Sequence, residues 1–246
     1  MPERTLLVLD AGESPWGGFL EEFFEDSRVR IVHAAETAVV AEALAKHSPD
    51  ASFLRPSLLS LPLIQKFKVL RGTRPEARIF ALGRPDPAKV RDFAFDEVFE
   101  EPPSFPVFQR VLMRAMPMPG SIRLLVIDDQ REVAQMVRDF LKDRTAPSFE
   151  IDSALDGAEG LRMIVRRRPD VVLLDIKMPV KDGREVYREI QARGWNLPVI
   201  IFFDAVCAEE MIEIREAGHP AVLEKGAPHS ALAEMPDLIK KMAYFG

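Results

Sequence analysis

The sequence predicts an α/β fold in which two domains follow one another, each built around a doubly wound, five-stranded parallel sheet. Three observations predict it. The chain has 246 residues, which is long enough for two hydrophobic cores. Its halves share an internal repeat. In the second half, apolar segments without polar alternation alternate with helical patterns, as is typical of parallel strands buried on both faces.

The internal repeat consists of three pairs of segments that keep their order along the chain. The pairs are Leu6–Asp10 with Leu124–Asp128, Pro49–Leu54 with Pro169–Leu174, and Asp96–Glu100 with Pro220–Glu224. A duplicated domain explains all three. Between the copies, residues 116–121 contain two prolines and a glycine, which forbid a continuous helix. We therefore expect one domain over residues 1–117 and another over residues 122–246.

The elements of the second copy follow from its apolar periodicity. Continuous apolar segments predict strands at residues 124–127, 171–174, 199–203 and 221–223, and a weaker pattern predicts another at 149–154. Helical patterns occupy residues 132–142, 158–167, 184–192, 208–217 and 230–244. Pro236 lies inside the last pattern and is expected to break or kink that helix. The first copy is expected to repeat the plan.

Charge, hydropathy and cysteine content exclude several classes of protein. The net charge is −6, and no run of basic residues exceeds Arg166–Arg168, so we expect no nucleic-acid partner. The apolar run Leu6–Leu9 is too short for a signal-peptide core or a membrane span, which predicts a cytoplasmic protein without membrane contact. Cys207 is the single cysteine, so internal disulfides and cysteine metal cages are excluded.

Ionisable residues follow the predicted strands of the second copy. Asp128 and Asp129 follow the first strand, Asp175 follows another, and Lys225 comes just after the last. Side chains at the carboxyl ends of parallel strands converge on one crevice. Crowded carboxylates resist ionisation unless a cation joins them, and an oxygen-only cluster suits Mg²⁺. A carboxylate can also attack phosphorus, and Asp175 is the best placed for that role.

The second copy resembles the receiver domain of response regulators in two-component systems. The matching segments are Leu125–Asp129, Pro169–Pro179, Asp182–Gly183 and Leu223–Lys225, in this order and with suitable spacing. The resemblance covers essentially residues 122–246 and implies a flavodoxin-like (βα)5 fold there, preceded by a degenerate, receiver-like copy of the same fold.

The resemblance also implies a chemistry. It makes Asp175 the phospho-acceptor and Lys225 the phosphoryl contact, with Mg²⁺ held by Asp128, Asp129, Asp175 and the main-chain carbonyl of Lys177. The donor would be a phosphohistidine on a histidine kinase or phosphotransfer protein. The chain would not be an enzyme beyond its Mg²⁺-dependent self-phosphorylation, and its output would be contact with a downstream protein target or a homodimer partner.

The receiver contact surface is expected on the fourth helix, fifth strand and fifth helix of the second copy, at about residues 208–244. Exposure of Met211, Ile212 or Ile214 on the fourth helix would support this expectation.

The sequence departs from the family at its switch positions. Receivers usually carry Ser or Thr after the fourth strand and an aromatic residue in the fifth strand, but this chain has Phe203 and Val222 there. A register shifted by one residue would put Asp204 at the hydroxyl position, where it would repel a phosphoryl group. Gly226 also replaces the usual proline after Lys225. We therefore expect an unconventional switch.

The first copy departs further. It keeps Asp10, but Ala11 replaces the second acid, Arg55 replaces the acceptor and Glu101 replaces the lysine. We expect no phosphorylation there and an Arg55–Asp10 ion pair in place of a metal.

Two other functions remain open from the sequence. A phosphohydrolase of the haloacid dehalogenase type also uses an aspartate at a strand end, but it needs a second aspartate two residues later, where this chain has Lys177. A non-phosphorylated receiver-like scaffold or adaptor would leave the acids without a role.

Asp129 with Glu132 also fits an acidic capping box at the start of the next helix, and this structural role is compatible with metal binding.

Overall fold

The computed structural model describes residues 4–10, 14–35, 37–88, 90, 93–143, 147–204, 208–225 and 230–246. The chain divides into two compact units, of which the first ends at Pro117 and the second begins at Met118. No helix in these described ranges is long and apolar enough to cross a membrane.

The first unit is a five-stranded parallel sheet with helices. Its strands are β1 (Arg4–Leu9), β2 (Val29–Ala34), β3 (Ala51–Leu54), β4 (Arg78–Leu82) and β5 (Glu97–Phe99), in the order β2-β1-β3-β4-β5. Its helices are α1 (Pro15–Phe23), α2 (Thr37–His47), α3 (Leu61–Thr73) and α4 (Phe105–Ala115). Among the described residues between β4 and β5 there is no helix, and Pro85 and Pro87 stand in that segment.

The second unit has the complete alternation. Its strands are β6 (Ser121–Ile127), β7 (Ser148–Ala154), β8 (Val171–Leu174), β9 (Val199–Phe203) and β10 (Ala221–Glu224). Its helices are α5 (Arg131–Leu141), α6 (Gly157–Arg167), α7 (Gly183–Ala192), α8 (Ala208–Ala217) and α9 (Ser230–Phe245). All strand pairs are parallel, in the order β10-β9-β8-β6-β7. This is the flavodoxin-like doubly wound order, so the predicted fold class is confirmed.

The sheet of the second unit is buried on both faces, as its continuous apolar strands predict. Leu124, Val126 and Leu173 contribute to a core cluster on one face, and Leu125 and Leu174 contribute to a cluster on the other. Successive side chains of a strand point to opposite faces, so each strand supplies both clusters. This rigid sheet fixes the positions of the residues that follow its strands.

Of the predicted break or kink at Pro236, the break does not occur, since α9 runs through this residue. A proline inside a helix removes one hydrogen bond and costs about 3 kcal/mol. Burial offsets this cost, since Met235, Ile239 and Met242 of α9 belong to one of the core clusters. Tertiary packing therefore overrides the local preference of the sequence.

Candidate functional site

Four ionisable side chains follow four neighbouring strands at the carboxyl edge of the second sheet. Asp128 comes after β6, Asp175 after β8, Asp204 after β9 and Lys225 after β10. Backbone bonds continue the ladder beyond the strands, since Asp175 N–H donates to Ile127 at 2.9 Å. The parallel sheet thus brings residues far apart in sequence into one crevice, as expected.

The acidic part of the site contains three carboxylates. Asp128, Asp129 and Asp175 each offer an oxygen, and these oxygens lie within 4.8 Å of one another. Asp128 and Asp175 are only 2% and 6% exposed, whereas Asp129 is open to solvent. Asp128 Oδ1 accepts the backbone N–H of Gln130 at 2.9 Å. One carboxylate is therefore anchored, and another faces outward.

Lys225 is the cation of the cluster. Its Nζ donates a hydrogen bond to Asp175 Oδ1 at 2.8 Å and lies 2.7 Å from Asp128 Oδ2 and 3.6 Å from Asp204 Oδ2. Burial alone would lower the pKa of Lys225, but hydrogen bonds and charge interactions with Asp128 and Asp175 outweigh it and raise that pKa. The lysine is therefore a fixed positive charge near neutral pH.

The burial of Asp128 disfavours the ionised form of its carboxyl group. Burial raises its pKa above the ordinary value of an aspartate, even though Lys225 and the Gln130 N–H both act to lower it. Its Oδ2 is buried and receives no hydrogen bond of normal geometry from the described residues, although Lys225 Nζ lies 2.7 Å away. A buried carboxylate oxygen without a donor is one that a cation can satisfy.

These residues fit a hard divalent cation. The donor set is three carboxylates with only one lysine to balance them, and oxygen ligands suit Mg²⁺. The side chain of Lys177 points elsewhere, with its Nζ 3.7 Å from Glu210 Oε2, which leaves only its main chain for a metal. A second aspartate of the haloacid dehalogenase type is not present at this position, since Lys177 occupies it.

The capping box that Asp129 and Glu132 would fit does not form at α5. The N-cap of α5 is Gln130, without a side-chain cap bond, so Asp129 does not cap this helix. The capping box of the unit lies instead at α7, where Asp182 accepts from Glu185 N–H at 3.0 Å and Glu185 accepts from Asp182 N–H at 3.1 Å. Asp129 is thereby left exposed beside the other acids.

Gly183 allows the loop after Asp175 to fold against its own backbone. A Cβ at this position would lie 2.0 Å from the carbonyl oxygen of Asp175 and 2.8 Å from the Cα of Ile176. Gly183 N–H also donates to the carbonyl of Ile176 at 2.8 Å. The start of α7 is thus seated directly on the main chain of Asp175, a role that the sequence alone did not reveal.

The usual switch groups are missing. Phe203 is the last residue of β9 and packs against an apolar core cluster, and Val222 on β10 is 42% exposed. Phe203 has no hydroxyl, and Val222 has no aromatic ring. Asp204 is the side chain beyond β9 that reaches Lys225. Gly226 lies outside the described residues.

The equivalent site of the first unit holds an ion pair. Arg55 follows β3 at the place that Asp175 has after β8, and its Nη2 lies 2.7 Å from Oδ1 of Asp10. The side chains of Asp10 and Arg55 are 7% and 31% exposed. The predicted pair therefore forms. Glu101 is exposed, and Ala11 lies outside the described residues.

Comparison with known proteins agrees with this geometry. Residues 124–236 match the family model described as the response regulator receiver domain. This part of the chain is a response regulator receiver domain. The resemblance found in the sequence is thereby confirmed.

Among curated proteins, the receiver domain is similar to the response regulator MprA of Mycobacterium ulcerans, at 34% identity over 122 residues, 49% of this chain and 51% of that protein. MprA of Mycobacterium tuberculosis (strain CDC 1551 / Oshkosh) is 34% identical over 122 residues, 49% of this chain and 52% of that protein. The chain thus spans about half the length of the curated relatives that it matches.

Solved structures of receiver domains also resemble half of the chain. The receiver domain of the Francisella response regulator 1452 is 25% identical, with a TM-score of 0.44, and the match covers 50% of this chain and 97% of that one. The response regulator domain of Thermotoga maritima CheB is 22% identical, with a TM-score of 0.45, and covers 51% and 98%.

Proposed function

We propose that the receiver domain accepts a phosphoryl group on Asp175 from a phosphohistidine of a histidine kinase or phosphotransfer protein. The observation that carries the proposal is the hydrogen bond of 2.8 Å between the Lys225 ammonium and Asp175, inside a cluster of three carboxylates. An ammonium held beside the attacking oxygen neutralises charge that arrives with the phosphoryl group. The proposed donor and acceptor are those that the family implies.

Each residue has a separate task in this reaction. An oxygen of Asp175 bonds to phosphorus while the bond from phosphorus to the donor imidazole breaks, and its electron pair leaves with the imidazole. Asp128, Asp129, Asp175 and the Lys177 carbonyl would hold Mg²⁺, which would neutralise charge on the transferred group. Asp128 is the poorer nucleophile because both of its oxygens are engaged, Oδ1 by the Gln130 N–H and Oδ2 by Lys225 Nζ at 2.7 Å, whereas Lys225 contacts Asp175 through Oδ1.

Phosphorylation with acetyl phosphate and Mg²⁺, read by intact mass, tests this function. We expect one added phosphoryl mass on the wild type and none on Asp175→Asn, because the amide nitrogen removes the nucleophilic carboxylate. The matched control is Asp139→Asn, an exposed aspartate of α5 whose Oδ1 accepts from Gln135, and it should be modified like the wild type. An adduct that persists in Asp175→Asn would assign the phosphoryl group to another residue.

A phosphorylation-independent scaffold is the second candidate. It is favoured by the switch positions, where Phe203 and Val222 provide no hydroxyl. It is also favoured by the first unit, where Arg55 occupies the acceptor position and forms an ion pair with Asp10. If the wild type takes up no phosphoryl group and binds no Mg²⁺ in calorimetry, the scaffold becomes the better description.

The output surface is proposed on α8, β10 and α9. Ile212 of α8 is 57% exposed and Val222 of β10 is 42% exposed, which supports a protein contact here. Of the three residues whose exposure would support this surface, Ile214 does not contribute, since it is 1% exposed and belongs to the core cluster with Val186 and Ile190 of α7. The apolar part of the surface is therefore narrower than the sequence indicated. Sedimentation of the phosphorylated and unmodified protein distinguishes a homodimer from contact with another protein.

A further inference from the structure

We propose that Asp204 restrains phosphorylation of Asp175 by competing with the incoming phosphoryl group for the Lys225 ammonium. The inference rests on the proposed function of Asp175. Its basis is the carboxylate of Asp204, which lies near Lys225 in addition to the three carboxylates that could hold a metal. Asp204 Oδ2 lies 3.6 Å from Lys225 Nζ, and the Asp204 side chain is 66% exposed.

The backbone holds Asp204 beside Lys225. Phe203 is the last residue of β9 and lies opposite Glu224 of β10 in the parallel register. Lys225 N–H then donates to the carbonyl of Phe203 at 2.7 Å. The residues that follow these two ladder positions are consequently neighbours. The approach of Asp204 to Lys225 thus follows from the sheet and does not depend on chance contact of two long side chains.

The charges around Lys225 differ in how firmly they are held. Asp128 and Asp175 approach the ammonium at 2.7 and 2.8 Å, and their side chains are 1% and 7% exposed. The ring centroid of Phe202 lies 5.6 Å from the same nitrogen. Of the three carboxylates, Asp204 lies farthest from the ammonium and is the most exposed, so we expect a phosphoryl group on Asp175 to displace it.

Displacing Asp204 from Lys225 costs free energy and therefore slows phosphorylation. The Asp204 carboxylate loses its attraction to Lys225 and remains close to a group that carries up to two negative charges. Like charges a few ångströms apart in a partly solvated crevice change a rate by about 10-fold, and salt weakens the effect because the carboxylate is exposed. Asp204 therefore slows the step in which Asp175 bonds to phosphorus and acetate leaves acetyl phosphate with the electron pair of the broken bond.

The test compares initial rates of phosphorylation by acetyl phosphate at saturating Mg²⁺. We expect Asp204→Asn to react about 10-fold faster than the wild type at low ionic strength, with a smaller ratio in high salt. Asp204→Glu keeps the charge and should stay slow, whereas a purely structural role would not distinguish the two variants by charge. Asp139→Asn is the matched control for an exposed carboxylate lost outside the cluster and should leave the rate unchanged.

The outcomes separate this inference from the function on which it rests. Equal rates for the wild type and Asp204→Asn, or a slower variant, overturn the role of Asp204 while Asp175 remains the acceptor. An adduct on Asp204→Asn alone supports the strongest form of the restraint. No adduct on either protein removes the proposed function, and the role of Asp204 falls with it.

Discussion

Replacing Gly183 with alanine is expected to destabilise the receiver domain by about 3 kcal/mol or more and to abolish its phosphorylation. The new Cβ would lie 2.0 Å from the carbonyl oxygen of Asp175 and 2.8 Å from the Cα of Ile176. Both atoms are backbone, so no side chain can rotate away to make room. The clash has to move either the start of α7 or the main chain that carries the proposed acceptor.

The tryptophans permit each unit to be measured separately. The chain has two, Trp16 in the first unit and Trp195 in the second. Urea unfolding of Gly183→Ala in a Trp16→Phe background reports the second unit through Trp195 fluorescence. The control is Gly120→Ala, because a Cβ at Gly120 meets no atom within 4 Å, and its effect should stay within about 0.5 kcal/mol. A Gly183→Ala protein as stable as this control would show that the loop relaxes without cost.

Much of the second unit could be predicted because its signals are local. Strand β8 was predicted at residues 171–174 and has these bounds, since a continuous apolar run between Asp170 and Asp175 admits few alternatives. The convergence of Asp128, Asp175 and Lys225 followed from topology, because parallel strands carry their carboxyl ends to one edge. Fold and site were therefore accessible from periodicity and strand ends together.

Contacts that depend on packing across loops could not be predicted in this way. The close approach of Gly183 to the Asp175 carbonyl depends on the path of the loop between β8 and α7. A glycine in the sequence is only a weak signal for such a contact. The sequence also left open which apolar residue of α8 faces the core, and in the structure Ile214 is buried whereas Ile212 is exposed. Its helical pattern left several apolar residues available, and only the packing of α7 against α8 decides among them.

Replacing Arg55 with methionine is expected to lower the free energy of unfolding of the first unit by about 2 to 3 kcal/mol. Arg55 Nη2 lies 2.7 Å from Asp10 Oδ1, and the Asp10 side chain is 7% exposed. Removing the arginine leaves a buried carboxylate without its cation, whereas the 31% exposure of Arg55 itself keeps the loss at the low end for buried pairs. Unfolding in a Trp195→Phe background, followed through Trp16, measures the change.

Two further variants identify the cause of the Arg55→Met loss. Asp10→Asn combined with Arg55→Met should recover most of the stability, because the unpaired charge is gone. Arg114→Met breaks a pair of similar length, 2.6 Å to Glu97, but Arg114 is 73% exposed and the change should be within about 1 kcal/mol. If the ion pair replaces a metal in the first unit, an acid in place of Arg55 should lower the stability of that unit. An Arg55→Asp protein that binds Mg²⁺ without losing stability would therefore contradict that role.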